Sequence, residues 1–131
     1  MKATGSTILV VDDNDEFRET TVKALGGLGH EVVTARSARQ AQGKARALGA
    51  RLDLLVTDLV LDGVDGLALA DRLISLKPTL RVLFMSGYAG SAMRLAGLRG
   101  ARRDFLEKPF TPAQIEKSVA RLLAKGRDTP G

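Results

Sequence analysis

The chain has 131 residues, of which 44% are hydrophobic and 27% charged, and its formal charge is +5. These proportions are those of an ordinary globular domain, and the length is enough to bury one hydrophobic core. Cysteine is absent, which excludes disulfides, Cys-ligated zinc sites and thiol nucleophiles. The apolar run at 8–11 is too short for a signal peptide, and no stretch approaches a membrane span, so we expect a cytoplasmic protein.

Five short segments are predicted to be strands, at 7–11, 31–35, 52–57, 81–85 and 103–107. The run 52–57 has four large aliphatic residues and stops at an acidic one, as a buried strand does. Helix-start residues occur at Asp13 or Asn14, at Ser37 and at Thr111. Ser37 and Thr111 each have a Gln three residues later, which predicts a capping box.

Helices are predicted between the strands and after the last one. Apolar residues at helical spacing identify their buried faces. These are Phe17, Ala24, Leu25 and Leu28; Ala38, Ala41, Ala45 and Leu48; Leu67, Ala70, Leu73 and Ile74; and Ile115, Val119, Leu122 and Leu123. The segment 88–100 has weak periodicity and three glycines, so we expect it to be the least stable helix. The segment 59–66 is predicted to be a loop.

Strict alternation of strands and helices predicts a parallel sheet with helices on both faces. We therefore expect an α/β fold, a flavodoxin-like doubly wound (βα)5 sandwich with a five-stranded parallel sheet. Residues 7–125 are expected to form this domain. Residues 1–6 are expected to be an N-terminal tail, and residues 126–131 a C-terminal tail or linker.

Several strands end in residues that can do chemistry. The first is followed by Asp12 and Asp13, the third by Asp58, the fourth by Ser86 and the fifth by Lys108. Because parallel strands end at one edge of the sheet, these side chains should converge. Clustered carboxylates need compensation, which Mg²⁺ and the Lys108 ammonium can supply. Such a set fits phosphoryl transfer to the Asp58 carboxylate.

Four short motifs carry a resemblance to a known family. They are Val10-Val11-Asp12-Asp13, Val56-Thr57-Asp58, Met85-Ser86-Gly87 and Phe105-Leu106-Glu107-Lys108-Pro109-Phe110. In this order they make residues 7–124 resemble a receiver domain of a two-component response regulator. The residue pattern of the last two motifs is more similar to that of receivers of hybrid histidine kinases than to that of receivers of DNA-binding regulators.

The resemblance implies a role for each of these residues. Asp12, Asp13 and Asp58 would hold Mg²⁺ together with the backbone carbonyl of Val60. Asp58 would take the phosphoryl group from the phosphohistidine of a sensor or hybrid histidine kinase, with Ser86 and Lys108 responding to it. It also implies a cis Lys108–Pro109 peptide. Phe105 would be a switch aromatic, coupled to the face of the fourth helix, fifth strand and fifth helix, through which a homodimer could form.

The resemblance implies a phosphorylation switch rather than a classical enzyme. At some positions the sequence departs from the usual receiver pattern. Position 62, where many receivers carry Pro, is Asp. Val60 and Tyr88, which by resemblance flank the path of hydrolytic water, have no group suited to orient it, so we expect slow self-dephosphorylation.

Other interpretations stay open. A phosphohydrolase with an Asp nucleophile would need a second acid where Val60 stands. An interaction module that is never phosphorylated is the other alternative. The basic run from Arg94 to Arg103 is more typical of a solvated face than of a nucleic-acid surface, because no recognition motif accompanies it.

Overall fold

Five parallel strands form one sheet in the computed structural model, which describes residues 5–61, 64–87 and 102–128, with side chains as far as residue 124. The strands in chain order are β1 (Thr7–Val11), β2 (Glu31–Ala35), β3 (Leu52–Asp58), β4 (Val60–Leu61), β5 (Val64–Asp65), β6 (Arg81–Ser86) and β7 (Arg103–Glu107). The sheet order is β2-β1-β3-β6-β7, and β4 and β5 form a separate antiparallel hairpin. The predicted strands and the parallel sheet are confirmed.

The helices are α1 (Asp15–Gly26), α2 (Ala38–Leu48), α3 (Gly66–Leu76) and a C-terminal helix (Pro112–Asp128). Each N-terminus has the capping side chain its sequence requires. The side chain of Asn14 accepts from the Phe17 N–H, that of Ser37 from the Gln40 N–H, and that of Asp65 from the Leu67 N–H. Thr111 and Gln114 cap one another reciprocally, at 3.2 and 2.8 Å, which confirms the capping box. No helix in the described ranges is both long and apolar enough to cross a membrane.

Each face of the sheet packs against two described helices. One core cluster joins alternate residues of β1, β3 and β6 to α2 and α3, and the other joins the remaining residues of these strands to α1 and the C-terminal helix. All apolar residues predicted for α2 and for the C-terminal helix are buried. Strands buried on both faces explain why β1, β3 and β6 read as nearly continuous apolar runs.

The strand register aligns the carboxyl ends of the sheet. Val11 of β1 pairs with Thr57, Asp58 pairs with Met85, and Ser86 pairs with Glu107 of β7. The residues that follow these pairs therefore leave the sheet at one edge. This edge is where the candidate residues from four separate stretches of sequence meet.

Some local predictions were wrong. Leu28 is 45% exposed, because α1 ends at Gly26 and helical spacing no longer applies beyond it. On α3 the buried residues include Leu69, whereas Leu67 and Ile74 are only partly buried. The segment predicted to be a loop contains the β4–β5 hairpin, and the C-terminal helix continues past Gly126 to Asp128. The predicted fourth helix at 88–100, with Tyr88, Arg94 and Arg99, and the Asp62-Gly63 turn lie outside the described residues.

Candidate functional site

Asp58 ends the central strand β3 with its carboxylate at the edge of the sheet. The residue is 5% exposed, and the strand places it beside Met85 of β6. Hydrogen bonds also hold the backbone around Asp58. The Leu59 N–H donates to the Met85 carbonyl at 2.8 Å, and the Thr57 hydroxyl donates to the Asp58 carbonyl at 3.0 Å. The carboxylate is therefore held at the end of a strand in which six of seven residues are buried.

Two further carboxylates come from the loop after β1. Asp12 is fully buried, whereas Asp13 is exposed. One oxygen of Asp12 accepts the Asn14 N–H at 2.9 Å, so the loop that leads into α1 orients this side chain. Carboxylate oxygens of Asp12, Asp13 and Asp58 all lie within 4.8 Å of one another. The structure thus brings together the three acids that the sequence predicted to converge.

Lys108 supplies the positive charge of the cluster. Its Nζ lies 2.6 Å from Asp58 Oδ1 and 3.2 Å from Asp12 Oδ2, and its side chain is 18% exposed. Its own N–H donates to the Ser86 carbonyl at 2.7 Å, which ties the turn after β7 to the end of β6. The Lys108–Pro109 peptide is cis, as the resemblance implied.

Burial sets the electrostatics of the acid cluster. Burial, and after it the neighbouring Asp12, raise the pKa of Asp58 to about 8, although the Lys108 ammonium acts to lower it. For Lys108, burial acts to lower the pKa, but the two carboxylates outweigh it and raise the pKa above its usual value. The ammonium is thus held charged, and it compensates only part of the repulsion between the acids.

Gly66 lies against the backbone of the central acid, a contact that the sequence analysis did not find. A Cβ at this position would lie 2.0 Å from the Asp58 carbonyl oxygen and 3.0 Å from the Leu59 carbonyl oxygen. The Gly66 N–H donates to that Leu59 carbonyl at 2.7 Å. Only glycine lets the start of α3 approach so closely, and the Asp-Gly pair in the sequence was the available signal.

An aromatic pair beside Lys108 was also missed. The rings of Phe17 and Phe110 meet edge to face, with centroids 5.0 Å apart and an interplanar angle of 77°. Lys108 Nζ lies 4.3 Å from the centroid of the Phe17 ring. Phe17 was assigned to the buried stripe of α1, and helical periodicity alone cannot reveal a contact with a residue so distant in sequence.

Ser86, Phe105 and Val60 complete the set that the sequence singled out. Ser86 is 6% exposed and lies at the end of β6, beside Asp58. Phe105 is partly buried on β7, where it pairs with Phe84 and packs against the core cluster of α2 and α3. Val60 is 59% exposed at the start of the hairpin.

The donor set of this edge suits a hard divalent cation. Mg²⁺ prefers oxygen ligands and retains several waters, so it needs only a few carboxylates in a partly open site. Asp12, Asp13 and Asp58 meet that requirement, with one of the three exposed. The residues present therefore fit Mg²⁺ by chemistry and by spacing.

Comparisons with known proteins agree with this geometry. The family model described as "response regulator receiver domain" matches residues 8–120. The sensor kinase CckA of Brucella abortus is 34% identical over 120 residues, which cover 92% of this chain and 13% of that protein. The phosphate regulon transcriptional regulatory protein PhoB of Pseudomonas aeruginosa is 34% identical over 130 residues, which cover 97% of this chain and 55% of that protein. The chain thus spans only part of the curated relatives it matches.

A solved structure gives the same result. The receiver domain of the hybrid histidine kinase CckA superposes with a TM-score of 0.77 at 28% identity, covering 90% of this chain and 99% of that one. A flavodoxin-like sheet, an acid cluster at its carboxyl edge and a family match over most of the chain lead to one conclusion. The chain belongs to the receiver domain family of two-component response regulators.

Proposed function

We propose that Asp58 is the phosphoacceptor of this receiver domain. One observation carries the proposal: the carboxylate that ends the central strand lies 2.6 Å from the Lys108 ammonium, in a cluster with Asp12 and Asp13. Of the three acids, Asp58 alone is on β3, and its Oδ1 lies nearer to the Lys108 Nζ than Asp12 Oδ2, which is 3.2 Å away. Its burial limits the water that can compete for the phosphoryl group.

The reaction forms one bond and breaks one. An Asp58 carboxylate oxygen attacks phosphorus in line as the phosphorus–nitrogen bond of a phosphohistidine breaks, and the electron pair stays on the imidazole. The product is an acyl phosphate. In this step the Lys108 ammonium moves its pairing from the carboxylate to a phosphoryl oxygen, where it acts as a point charge. The Ser86 hydroxyl donates to another phosphoryl oxygen.

The divalent cation is assigned to Asp12, Asp13, Asp58 and the Val60 carbonyl. When bound, Mg²⁺ would neutralise the negative charge that spreads over carboxylate and phosphoryl oxygens. The chain itself orients one of these acids without a cation, because the Asp12 carboxylate accepts the Asn14 N–H.

We assign the output to Phe105 and the face around it. Phe105 is only partly buried, and Asp104 beside it is buried and paired with Arg121 of the C-terminal helix. A shift of Ser86 toward the phosphoryl group would favour a more buried Phe105. The face of β7, the C-terminal helix and the predicted fourth helix would then change its affinity for partners, including a second copy of the chain.

The donor we propose is a sensor or hybrid histidine kinase. Receivers of this family are phosphorylated by histidine kinases, and relatives include both a sensor kinase and transcriptional regulators. The residue patterns around Ser86 and Lys108 favour a receiver that is attached to a kinase.

The test uses acetyl phosphate with Mg²⁺ and an intact-mass measurement. The wild-type chain should gain one phosphoryl group that hydroxylamine removes, and Asp58→Asn should gain none. Asp53→Asn is the matched control, because Asp53 lies on the same strand at its other end, where it accepts the Thr7 N–H at 2.8 Å. An adduct in Asp58→Asn, or none in the wild type with any donor, would refute the assignment. Turnover of phosphate esters would instead support the phosphohydrolase alternative.

A further inference from the structure

Among the described residues, the Lys108 ammonium contacts an aromatic ring as well as two carboxylates. Its Nζ lies 2.6 Å from Asp58, 3.2 Å from Asp12 and 4.3 Å from the centre of the Phe17 ring. An ammonium within about 6 Å of an aromatic face is attracted by the ring quadrupole, more strongly when it is desolvated. With 18% of its side chain exposed, Lys108 meets this condition.

The backbone of Phe17 is anchored at the start of its own helix. The Phe17 N–H donates to the Asn14 side chain at 2.8 Å, and the Thr21 hydroxyl donates to the Phe17 carbonyl at 3.0 Å. The same turn orients Asp12, whose carboxylate accepts the Asn14 N–H. The residue that carries the ring and the buried acid are therefore both positioned by the turn that begins α1.

The ring itself has a second aromatic contact, from the turn after β7. Phe110 meets Phe17 edge to face, two residues beyond Lys108. Edge-to-face pairs add stability beyond the area they bury. The two loops that carry the site are thus joined through an aromatic contact as well as through the ion pair.

We propose that Phe17 is a positioning residue, whose ring keeps the Lys108 ammonium in the site when the phosphoryl group and the cation take over the carboxylates. The inference rests on the proposed function. The carboxylates are the contacts that Lys108 must give up as Asp58 reacts, whereas the ring is a contact that it keeps. A lysine with a flexible four-carbon stem would otherwise regain rotational freedom at the moment it is needed.

The first measurement needs neither metal nor phosphate. In metal-free protein with ¹³C-labelled lysine, the ε-methylene signal of Lys108, assigned from its loss in Lys108→Met, should be shifted upfield by the ring. The shift should persist in Phe17→Tyr and disappear in Phe17→Leu. An unshifted signal in the wild type overturns the inference and leaves the phosphorylation assignment untouched.

The second measurement asks whether the ring acts through the lysine. With acetyl phosphate and saturating Mg²⁺, Phe17→Leu should slow adduct formation on the order of tenfold, and Phe17→Tyr should restore it. In a Lys108→Met background, Phe17→Leu should have no further effect. An equal loss in both backgrounds shows a merely structural role and overturns the proposal.

A fluorinated series keeps the volume of the ring and weakens its quadrupole. Phenylalanine with one, two and three fluorines at position 17 should slow adduct formation stepwise, while the urea midpoint stays unchanged. Equal rates across the series would overturn the proposal even if Phe17→Leu proved unstable. A wild-type chain that takes up no phosphate but retains the ring-shifted signal would refute the phosphorylation assignment and leave only the contact between the Phe17 ring and Lys108 standing.

Discussion

The pKa of Asp58 makes the stability of the metal-free protein depend on pH in an unusual direction. The folded-state pKa is about 8, because burial and Asp12 oppose ionisation, and an unfolded aspartate has a pKa of about 4. A group whose pKa is raised by folding favours the folded state while it is protonated. Its contribution is complete below about pH 4 and is lost as the pH rises through about 8.

The magnitude follows from the size of the shift. Each pH unit between the two pKa values changes the free energy of unfolding by about 1.4 kcal/mol. Between about pH 5 and about pH 8 a single group can therefore remove up to about 4 kcal/mol. Lys108 does not offset this, because its raised pKa affects stability only at higher pH. We expect a measured loss of about 2–4 kcal/mol.

Urea unfolding with a chelator present, followed by circular dichroism, measures this loss. The stability of Asp58→Asn should vary much less over this pH range, and at about pH 8 this variant should be more stable than the wild type. Asp53→Asn keeps Asp58 and should follow the wild type. Mg²⁺ should restore much of the wild-type stability at the upper pH, since it binds the folded ionised site. Parallel curves for the wild type and Asp58→Asn would refute the reasoning.

Three further predictions concern single positions. Gly66→Ala should lower the free energy of unfolding by about 1–3 kcal/mol and slow phosphorylation, because the new Cβ would meet the Asp58 carbonyl. Gly43→Ala is the control for urea unfolding, since a Cβ there meets nothing within 4 Å outside its chain neighbours and its own helix backbone. Asp12→Asn should weaken Mg²⁺ binding by about tenfold or more, measured by calorimetry, and an unchanged affinity would exclude it as a ligand. Val60→Asn should shorten the acyl-phosphate lifetime severalfold, measured by mass spectrometry after donor removal; a wild-type lifetime of seconds that the variant leaves unchanged contradicts the role given to Val60.

The sheet and the meeting of its acids could be predicted because both follow from local patterns. Strands buried on both faces appear in the sequence as apolar runs, and a parallel arrangement brings their carboxyl ends to one edge of the sheet. Asp12, Asp58 and Lys108 therefore converge whatever the details of the loops. The register was not predicted, and the shift between Thr7 and Ile8 in the pairing of β1 with β3 has no signal in the apolar pattern.

The parts that were missed depend on contacts rather than on periodicity. The two-residue strands of the β4–β5 hairpin are too short to show alternation. Leu28 lies beyond the last turn of α1, so its spacing carries no information about burial. Phe17 contacts Lys108 only because α1 and the turn after β7 flank the same edge of the sheet.

The charge count at this edge explains why the site should select a divalent cation. When all groups are ionised, three carboxylates and one ammonium leave two negative charges in a partly buried space. A monovalent cation would leave part of this repulsion uncompensated, whereas Mg²⁺ would balance the two charges. Lys108 could then leave Asp58 without exposing an unpaired buried carboxylate. We therefore expect the burial that destabilises the protein at high pH in the presence of a chelator to couple cation binding to release of Lys108.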